Sequence, residues 1–303
     1  MSTPASPSWQ AKPPTPAIRP EVLHTLQPLP HVQAVRSLSG GQRIWAHPAW
    51  RQAVILLTLA ALWEGVARWQ DNDLLLPTFT ATLQALWAGL SSGELLIKTG
   101  LSLSMLLEGY ALGVLGALAF TALATSSRWG RDLLSTLTAM LNPLPAIALL
   151  PLALLWFGLG KGSLLFVLVH SVLWPVALNT LSGFQSVPEN LRMAGRNYGL
   201  TGLRYVTQLL LPVALPSVLA GLKHGWAFAW RTLIAAELVF GATSGQGGLG
   251  WYIFQNRNEL YTDRVFAGLM LVILIGLAVE RLVFQTLAAL TVQRWGTQRA
   301  VEG

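Results

Sequence analysis

The sequence lacks cysteine altogether and is poor in charge. With no cysteine among 303 residues, it excludes a disulfide scaffold, a thiolate metal site and a cysteine nucleophile. Charged residues make up only 11% of the chain, whereas about a quarter is usual in soluble domains, and 53% of the residues are hydrophobic. A soluble surface of this size cannot be built from so few charges. The composition therefore predicts an all-α, polytopic membrane protein.

Motifs of catalysis and nucleotide binding are also missing. The chain contains no G-x-x-x-x-G-K-[ST] phosphate loop, so any ATP chemistry must come from another polypeptide. No nucleophile–base pair emerges, and His170 stands without a second His, Asp or Glu at metal-ligand spacing. We interpret His170 as a core histidine with a satisfied hydrogen bond. The sequence predicts a non-catalytic chain with no metal or cofactor of its own.

The first 50 residues differ from the rest of the chain. Nine of the 17 prolines fall between Met1 and Pro48, and no apolar run there is long enough to bury a core. We predict a disordered, Pro-rich cytoplasmic tail over 1–50 and a transmembrane domain over 51–303. For the tail, a passive role is favoured over a partner-binding role of its prolines.

Long uncharged runs dominate the chain after Arg51. No Asp, Glu, Lys or Arg occurs from Gly109 to Ser127, or from Gly162 to Pro188. A membrane span needs about 20 mostly apolar residues, so the most economical number of spans is six. We place them near 52–70, 100–125, 134–158, 163–184, 213–241 and 264–287.

The distribution of cations predicts the orientation, because cytoplasmic loops carry an excess of Lys and Arg. An even number of spans puts both termini on one side, together with the basic tail and Arg128, Arg131, Arg192, Arg196, Arg204, Arg294 and Arg299. We predict that this side is cytoplasmic. The net charge of +7 then reflects membrane orientation and requires no nucleic-acid partner.

Prolines interrupt the third predicted span. Pro143 and Pro145 follow Asn142 closely, and Pro151 comes one and a half turns later. Each proline removes a backbone donor and collides with the preceding turn, so this span must be kinked or broken. A kink adapted to packing and a hinge that lines a pathway are both consistent with the pattern.

The loop between the fourth and fifth predicted spans, about 185–212, is the most structured polar segment. Ser186 and Glu189 have capping-box spacing, and Pro188 suits a first helical turn. We predict a short helix from there to about Tyr198, ended by Gly199 in a left-handed conformation.

A second helix is predicted in the same loop. Thr201 is its candidate cap, and we expect it to stop ahead of Pro212. Helix, glycine turn, helix and proline together form an elbow that projects from the membrane on the cytoplasmic side.

The elbow resembles the cytoplasmic signature of permease subunits of bacterial binding-protein-dependent ABC importers. That signature reads E-A-A, three residues, Gly, nine residues, Ile, one residue, Leu-Pro. Gly199 is followed by nine residues and then by Leu209-Leu210-Leu211-Pro212, which fits the spacing. The opening triplet reads Met193-Ala194-Gly195 and lacks the acidic residue, although Glu189 lies one turn earlier.

Further motifs extend the resemblance over most of the chain after Arg51. They are similar to the nitrate/sulfonate/taurine branch of these permeases, in family order and spacing. These motifs are Pro151-Leu152, Trp156-Phe157-Gly158, Leu211 to Pro216, Ala220-Gly221-Leu222, Ala229-Trp230, Ala235-Ala236-Glu237, Gly248-Leu249-Gly250 and Thr262-Asp263.

The resemblance implies a type I permease fold in the bacterial inner membrane. Its partners would be a second permease copy in a homodimer, two cytoplasmic ATPases that bind ATP and Mg, and an extracytoplasmic solute-binding protein. The solute would be a small oxyanion such as nitrate, a sulfonate, taurine or bicarbonate.

The resemblance also implies that the elbow is the coupling helix that docks on an ATPase. Gly199 and Pro212 would set its geometry, and Ala194 and Gly195 would keep the docking face small. The alternative is that these small residues pack within this chain. The coupling residues implied are Glu189, Met193, Ala194, Gly195, Gly199, Leu200, Arg204, Leu211 and Pro212.

Ionisable groups inside spans are the pathway candidates, because burying them is costly. Glu237 and Arg231 lie six positions apart, so they do not face each other on one helix. We expect Glu237 to pair elsewhere or to border a cavity, and Arg231 to attract an anion. Trp230 is first interpreted as an interface residue. The pathway candidates are Glu237, Arg231, Trp230, Asn142, Pro143 and Pro145.

Two other classes of protein are alternatives. A gradient-driven secondary transporter or channel would show paired acidic or histidine relay residues in several spans, and only Glu237 is clearly deep. An intramembrane enzyme would show a Ser/Lys, paired Asp or His-rich metal site, and none is visible in the sequence.

Overall fold

Every regular element of the described chain is helical, as the apolar runs predict. The computed structural model describes residues 48–240 and 247–293, and within these ranges it contains no β-strand. The tail predicted over 1–50 lies almost wholly outside them and stays a prediction. The helices are α1 Pro48–Gln70, α2 Phe79–Ser91, α3 Glu94–Ser126, α4 Arg128–Leu141, α5 Leu150–Phe157, α6 Lys161–Gln185, α7 Glu189–Asn197, α8 Gly202–Tyr205, α9 Leu211–Phe240, α10 Leu249–Asn258, α11 Thr262–Val279 and α12 Thr286–Ala288.

Shorter turns join some of these helices. A 3₁₀ turn precedes α5, a π-helical turn joins α8 to α9, and two further π-helical turns flank α12. Their bounds are Ala146–Leu149, Val206–Leu210, Glu280–Gln285 and Ala289–Gln293.

Four helical segments of the described chain are long and apolar enough to cross a membrane, and they match four predicted spans. A bent pair makes a fifth if it is counted as one span. Helix α1 covers the predicted span 52–70 but is not among them, and it carries Glu64 and Arg68 in its second half. A multi-pass architecture is confirmed, whereas the count of six is not. The segments are Glu94–Thr125, Lys161–Gln185, Val206–Val239 and Thr262–Thr291.

The third predicted span is broken, as its prolines require. Helix α4 and the following 3₁₀–α5 segment meet at 90°. The Asn142 N–H still donates to Thr138 O at 3.0 Å, but Pro143 and Pro145 have no N–H to continue the ladder. The chain therefore turns sharply at 142–145.

Helix α6 lies at the centre of the bundle, where it packs against α3 and α9. Glycines on α3 allow a close approach of α3 to α6. A Cβ atom at Gly109 would lie 2.6 Å from Leu168 Cβ, and one at Gly113 would lie 2.6 Å from Val172 Cβ. Small residues at such crossings bring helix backbones together where lipid removes the usual hydrophobic drive.

The apolar runs did not indicate helix α2. Thr78 caps its start by accepting a hydrogen bond from the Ala81 N–H at 3.2 Å. The Glu64 carboxylate accepts from the Thr80 N–H at 3.1 Å and from Arg68 Nε at 2.8 Å. Glu64 therefore joins the second half of α1 to the N-terminus of α2, a structural role for this acidic residue.

Candidate functional site

The predicted elbow forms, with a glycine turn at its centre. Helix α7 ends at Asn197, and Gly199 has a φ of +74°. The Gly199 N–H donates to Arg196 O at 2.9 Å, and the Leu200 N–H donates to Gly195 O at 3.0 Å. These two bonds satisfy the last carbonyls of α7 and define a Schellman motif. The prediction that Gly199 terminates the helix in a left-handed conformation is confirmed.

The predicted capping box at the start of α7 is wrong. Helix α6 runs on to Gln185, so Ser186 becomes its C-terminal cap and its Oγ donates to Gly183 O at 2.8 Å. Pro188, in an extended conformation, is the N-cap residue of α7 and not part of its first turn. Only Ser186 and Val187 separate the end of α6 at Gln185 from Pro188. Ser186 caps α6 and therefore does not cap α7.

Arg192 anchors the elbow to the end of α6, a role that sequence reasoning missed. Its Nη2 donates to Phe184 O at 2.6 Å, and its Nε donates to Val187 O at 3.0 Å. Glu189 lies 3.8 Å from Arg192 across one turn of α7. A cation at the C-terminus of a helix stabilises its unpaired carbonyls, so Arg192 fixes α7 relative to α6.

Gly195 packs within the chain, so the expectation that it keeps the docking face small is wrong. It is buried, and a Cβ atom there would lie 2.8 Å from Leu209 Cδ2. Ala194 is half-buried. The large exposed side chains of the elbow include Met193 on α7, exposed by 52%, and Tyr198 just after α7, exposed by 87%. Met193 and Tyr198 are therefore the accessible large side chains of this segment.

The second loop helix does not stop before Pro212. Helix α8 continues through the π-helical turn into α9, and the Leu211 N–H donates to Val206 O. In a regular α-helix the proline ring collides with the carbonyl of the preceding turn, and the wider π-helical turn removes that collision. The elbow is therefore helix α7 joined by Gly199 to one continuous helix.

The predicted coupling residues lie at different depths in this arrangement. Four of them are exposed, namely Glu189, Met193, Gly199 and Arg204. The others are half-buried or buried, namely Ala194, Gly195, Leu200, Leu211 and Pro212.

Four of the six pathway candidates line one open cavity between helices, and all four are exposed. Asn142, Pro143 and Pro145 come from the break between α4 and α5, and Arg231 comes from α9. The cavity has a volume of about 460 Å³, and α6 borders it on a third side. The broken span therefore borders a space large enough for a small solute.

Arg231 gives this cavity positive character. Its Nε donates to Ala227 O at 3.0 Å, and its Cζ lies 5.1 Å from the centre of the Phe228 ring. Across residues 48–240 and 247–293 no carboxylate pairs with it. A guanidinium that no carboxylate neutralises attracts anions to the cavity that it lines.

His170 and Trp174 add unused polar groups to the same cavity. They lie one turn apart on α6, and their rings meet edge to face with centres 6.1 Å apart. Neither ring nitrogen of His170 nor the Trp174 Nε1 has a hydrogen-bond partner in the part of the chain that the structure describes. The expectation of a satisfied core histidine is therefore wrong. Their i, i+4 spacing is visible in the sequence, but that they line the same cavity as Arg231 is not.

Glu237 does not line the cavity, and its carboxylate forms a buried clamp. Ser102 Oγ on α3 lies 2.9 Å from both carboxylate oxygens, and the Gly250 N–H donates to Oε2 at 2.8 Å. Ser102 Oγ also accepts from the Leu249 N–H at 2.9 Å. The clamp joins α3 and α9 to the N-terminus of α10, where unpaired amides favour an anionic group.

The clamp explains the glycines that flank Leu249. A Cβ atom at Gly248 would meet Ser102 Oγ and the Glu237 carboxylate, and one at Gly250 would lie 2.5 Å from Glu237 Cβ. The Gly248-Leu249-Gly250 motif therefore lets α10 approach the carboxylate. As expected, Glu237 pairs elsewhere and does not face Arg231.

Trp230 does not occupy an interface. It is 6% exposed within the core, and its Nε1 donates to Val272 O on α11 at 3.3 Å. The interface interpretation failed because the indole pairs with a helix carbonyl, which satisfies its one polar atom without water. Like Glu237, Trp230 is absent from the cavity lining.

Known proteins resemble this chain over the region that contains the elbow and the Arg231 cavity. The model of a family described as "Binding-protein-dependent transport system inner membrane component" matches residues 109–295. An ABC transporter permease protein of Methanocaldococcus jannaschii is 32% identical over 239 residues, which cover 76% of this chain and 88% of the relative. An aliphatic sulfonates transport permease protein of Escherichia coli K12 is 33% identical over 220 residues, covering 72% and 82%. A nitrate import permease protein of Synechocystis is 27% identical over 241 residues, covering 77% and 86%.

Proposed function

We propose a function for this chain on the premise that it belongs to the family of binding-protein-dependent transport system inner membrane components. It is a multi-pass membrane protein and a permease subunit of an ABC importer. We infer that its solute is a small oxyanion, such as nitrate, a sulfonate, taurine or bicarbonate. The expectation of a gradient-driven transporter or channel has no support in these matches.

The observation that carries the choice of solute is Arg231 in the cavity. Its guanidinium faces the space between the broken span, α6 and α9 without a carboxylate partner among the described residues. Asn142, His170 and Trp174 add hydrogen-bonding groups around the same space. A planar guanidinium recognises two oxygens of an oxyanion at once, so this donor set fits nitrate-like and sulfonate-like solutes.

The partners follow from the same premise. The chain lacks a phosphate loop, so ATP and Mg would bind in two separate cytoplasmic ATPases, and this subunit would be non-catalytic. An extracytoplasmic binding protein would deliver the solute to a homodimer of this permease. Both termini and the elbow would lie in the cytoplasm, as the distribution of cations supports.

Transport would work by moving the elbow as a rigid lever. Arg192 fixes α7 to α6, and Gly199 joins α7 to the continuous α8–α9 helix, which carries Arg231. Closure of the ATPases against Met193 and Tyr198 would therefore act on the helices that border the cavity. A two-state opening, biased by ATP and the loaded binding protein, would carry the solute across.

The direct test measures ATP-dependent oxyanion uptake by the assembled importer in vesicles. Arg231→Gln is expected to lower uptake at least about fivefold, because a charge pair at about 4 Å contributes from about 1 kcal/mol in water to about 4 kcal/mol at an effective dielectric of about 20. Arg231→Lys keeps the charge and retains more uptake than Arg231→Gln.

A matched control is Arg257→Gln on α10, which removes an exposed cation outside the cavity lining. Its uptake should equal that of the unaltered protein. If Arg231→Gln assembled normally and left uptake of every oxyanion unchanged, the anion assignment of the cavity would be refuted.

A further inference from the structure

A second cavity lies where several helices end on the predicted cytoplasmic side. It has a volume of about 500 Å³ and is bordered by the ends of α3 and α6, the start of α4, helix α7 and the π-helical turn before α9. None of the described residues that line it is acidic. It is separate from the Arg231 cavity and shares no lining residue with it.

Three arginines line this second cavity, and two of them are available to a ligand. Arg192 is held by the Phe184 carbonyl of α6, by the Val187 carbonyl just after it and by Glu189. Arg131 on α4 and Arg196 on α7 are exposed and form no ion pair with any described carboxylate, although Asp132 directly follows Arg131. Two unpaired guanidinium groups from different helices therefore face one space.

The floor of the cavity is apolar. Leu181, Phe184 and Leu210 are each buried and line it, together with Ala124. The hydroxyl of Tyr205, also in the lining, is buried and has no hydrogen-bond partner among the described residues. The cavity thus combines two arginines at its rim, the Tyr205 hydroxyl and an apolar floor, and it lies at the end of two candidate spans.

We propose that this cavity binds an anionic phospholipid of the cytoplasmic leaflet, with its phosphate between Arg131 and Arg196. Basic pockets between transmembrane helices at that membrane face suit lipid phosphates. A free phosphate ion would use only the rim, whereas a lipid also covers the apolar floor with an acyl chain. The proposal rests on the proposed orientation, which puts these helix ends in the cytoplasm.

A lipid at this position would brace the elbow. Arg196 lies on α7 and Arg131 on α4, so one phosphate bound by both joins the elbow to the broken span. Arg192 links α7 to the bundle from within the chain, and the bound lipid would add a second link between α7 and the bundle.

The experiment is native mass spectrometry of the purified full chain, after equilibration with equal amounts of phosphatidylglycerol and phosphatidylcholine. The unaltered protein should retain phosphatidylglycerol preferentially. Arg131→Gln and Arg196→Gln should each lower that preference about fivefold, and the double variant about 25-fold. The double Lys variant, which keeps both charges, should retain most of the preference and controls for folding.

The matched control is Arg128→Gln, an exposed cation one turn before Arg131 that does not line the cavity. It should retain phosphatidylglycerol like the unaltered protein. A double Gln variant with unchanged preference would overturn the site, and so would an equal loss in Arg128→Gln.

A competition arm distinguishes the lipid from a soluble anion. Millimolar inorganic phosphate or glycerol phosphate should not displace phosphatidylglycerol, and displacement by either would overturn the lipid assignment. Because lipid retention is measured without ATPase, binding protein or uptake, its failure is distinct from a failure of the proposed transport function. A single cysteine placed beside Arg128 in this cysteine-free chain reports the membrane side of the cavity independently.

Discussion

Removing the Ser102 hydroxyl is expected to release the N-terminus of α10 from the bundle. Ser102 is fully buried, and its Oγ bonds both the Glu237 carboxylate and the Leu249 N–H. Ser102→Ala removes both bonds and leaves the Leu249 N–H without an acceptor. The matched control is Ser104→Ala on the same helix, because Ser104 is exposed and its Oγ only donates to Leu101 O.

The size of the effect follows from the bonds that are lost. An unsatisfied buried amide costs about 1–3 kcal/mol, and a lost hydrogen bond to a charged group costs about 1.5–3 kcal/mol. Ser102→Ala should therefore destabilise the docking of α10 by about 3 kcal/mol or more. Glu237→Gln should cost about 1 kcal/mol, because its amide still offers an acceptor to the Gly250 N–H and a donor to Ser102 Oγ.

The assay uses the absence of native cysteine. Ile253 on α10 is 3% exposed, so a thiol in an Ile253→Cys background reacts only when α10 opens. The labelling rate should rise roughly 100-fold with Ser102→Ala, about fivefold with Glu237→Gln and not at all with Ser104→Ala. Equal labelling rates in Ser102→Ala and Ser104→Ala would refute the clamp.

Two further predictions concern the elbow. Tyr198→Ala should weaken co-purification of the partner ATPase about tenfold, because an aromatic anchor at an interface contributes about 1 kcal/mol or more. The control is Trp129→Ala, which changes an equally exposed aromatic side chain at the same end of the bundle and should leave co-purification unchanged. Equal losses in both variants would argue against docking at α7. Gly199→Ala should lower the free energy of unfolding of the purified chain by about 1–2 kcal/mol, because φ is +74° at this position. The control is Gly65→Ala in helix α1, where a Cβ atom has open space and the free energy of unfolding should not fall. An unchanged unfolding midpoint in Gly199→Ala would contradict the left-handed turn.

The broken span and the glycine turn were predictable because their causes are local. Pro143 and Pro145 lack the N–H that an α-helix needs, whatever surrounds them, and the chain turns there by 90°. Gly199 is the residue type that tolerates a left-handed φ, and it follows a helix of the expected length. In both cases the sequence contains the whole physical reason.

Predictions from the sequence were wrong where the role of a residue depends on where the adjacent helix ends or on what packs against it. Ser186 fits a capping box, but α6 extends far enough to take it as its own cap. Pro212 signals a helix end, but the π-helical turn before it lets the helix continue. Gly195 looks like a docking residue until Leu209 is found against it. The local sequence around Ser186, Pro212 and Gly195 is compatible with more than one structure. Packing against the rest of the chain determines which one forms.

Depth in the membrane likewise did not predict which polar groups meet. Arg231 and Glu237 both lie in α9, and their six-residue separation correctly placed them on different faces. That Glu237 meets Ser102, which lies 135 positions away, required the fold. The fold was also required to bring Arg231, His170 and Trp174 to one cavity.

The sequence by itself determined that this is a helical membrane protein with a break at 142–145 and a glycine-centred elbow before its fifth predicted span. Those features follow from hydropathy, charge and the conformations of Pro and Gly, which act within a few residues. Only the tertiary structure decided that the Glu237 carboxylate holds α10 and that Arg131 and Arg196 share a cavity. Such meetings depend on helix rotation and on where each helix ends, because side chains far apart in the chain become neighbours only through packing.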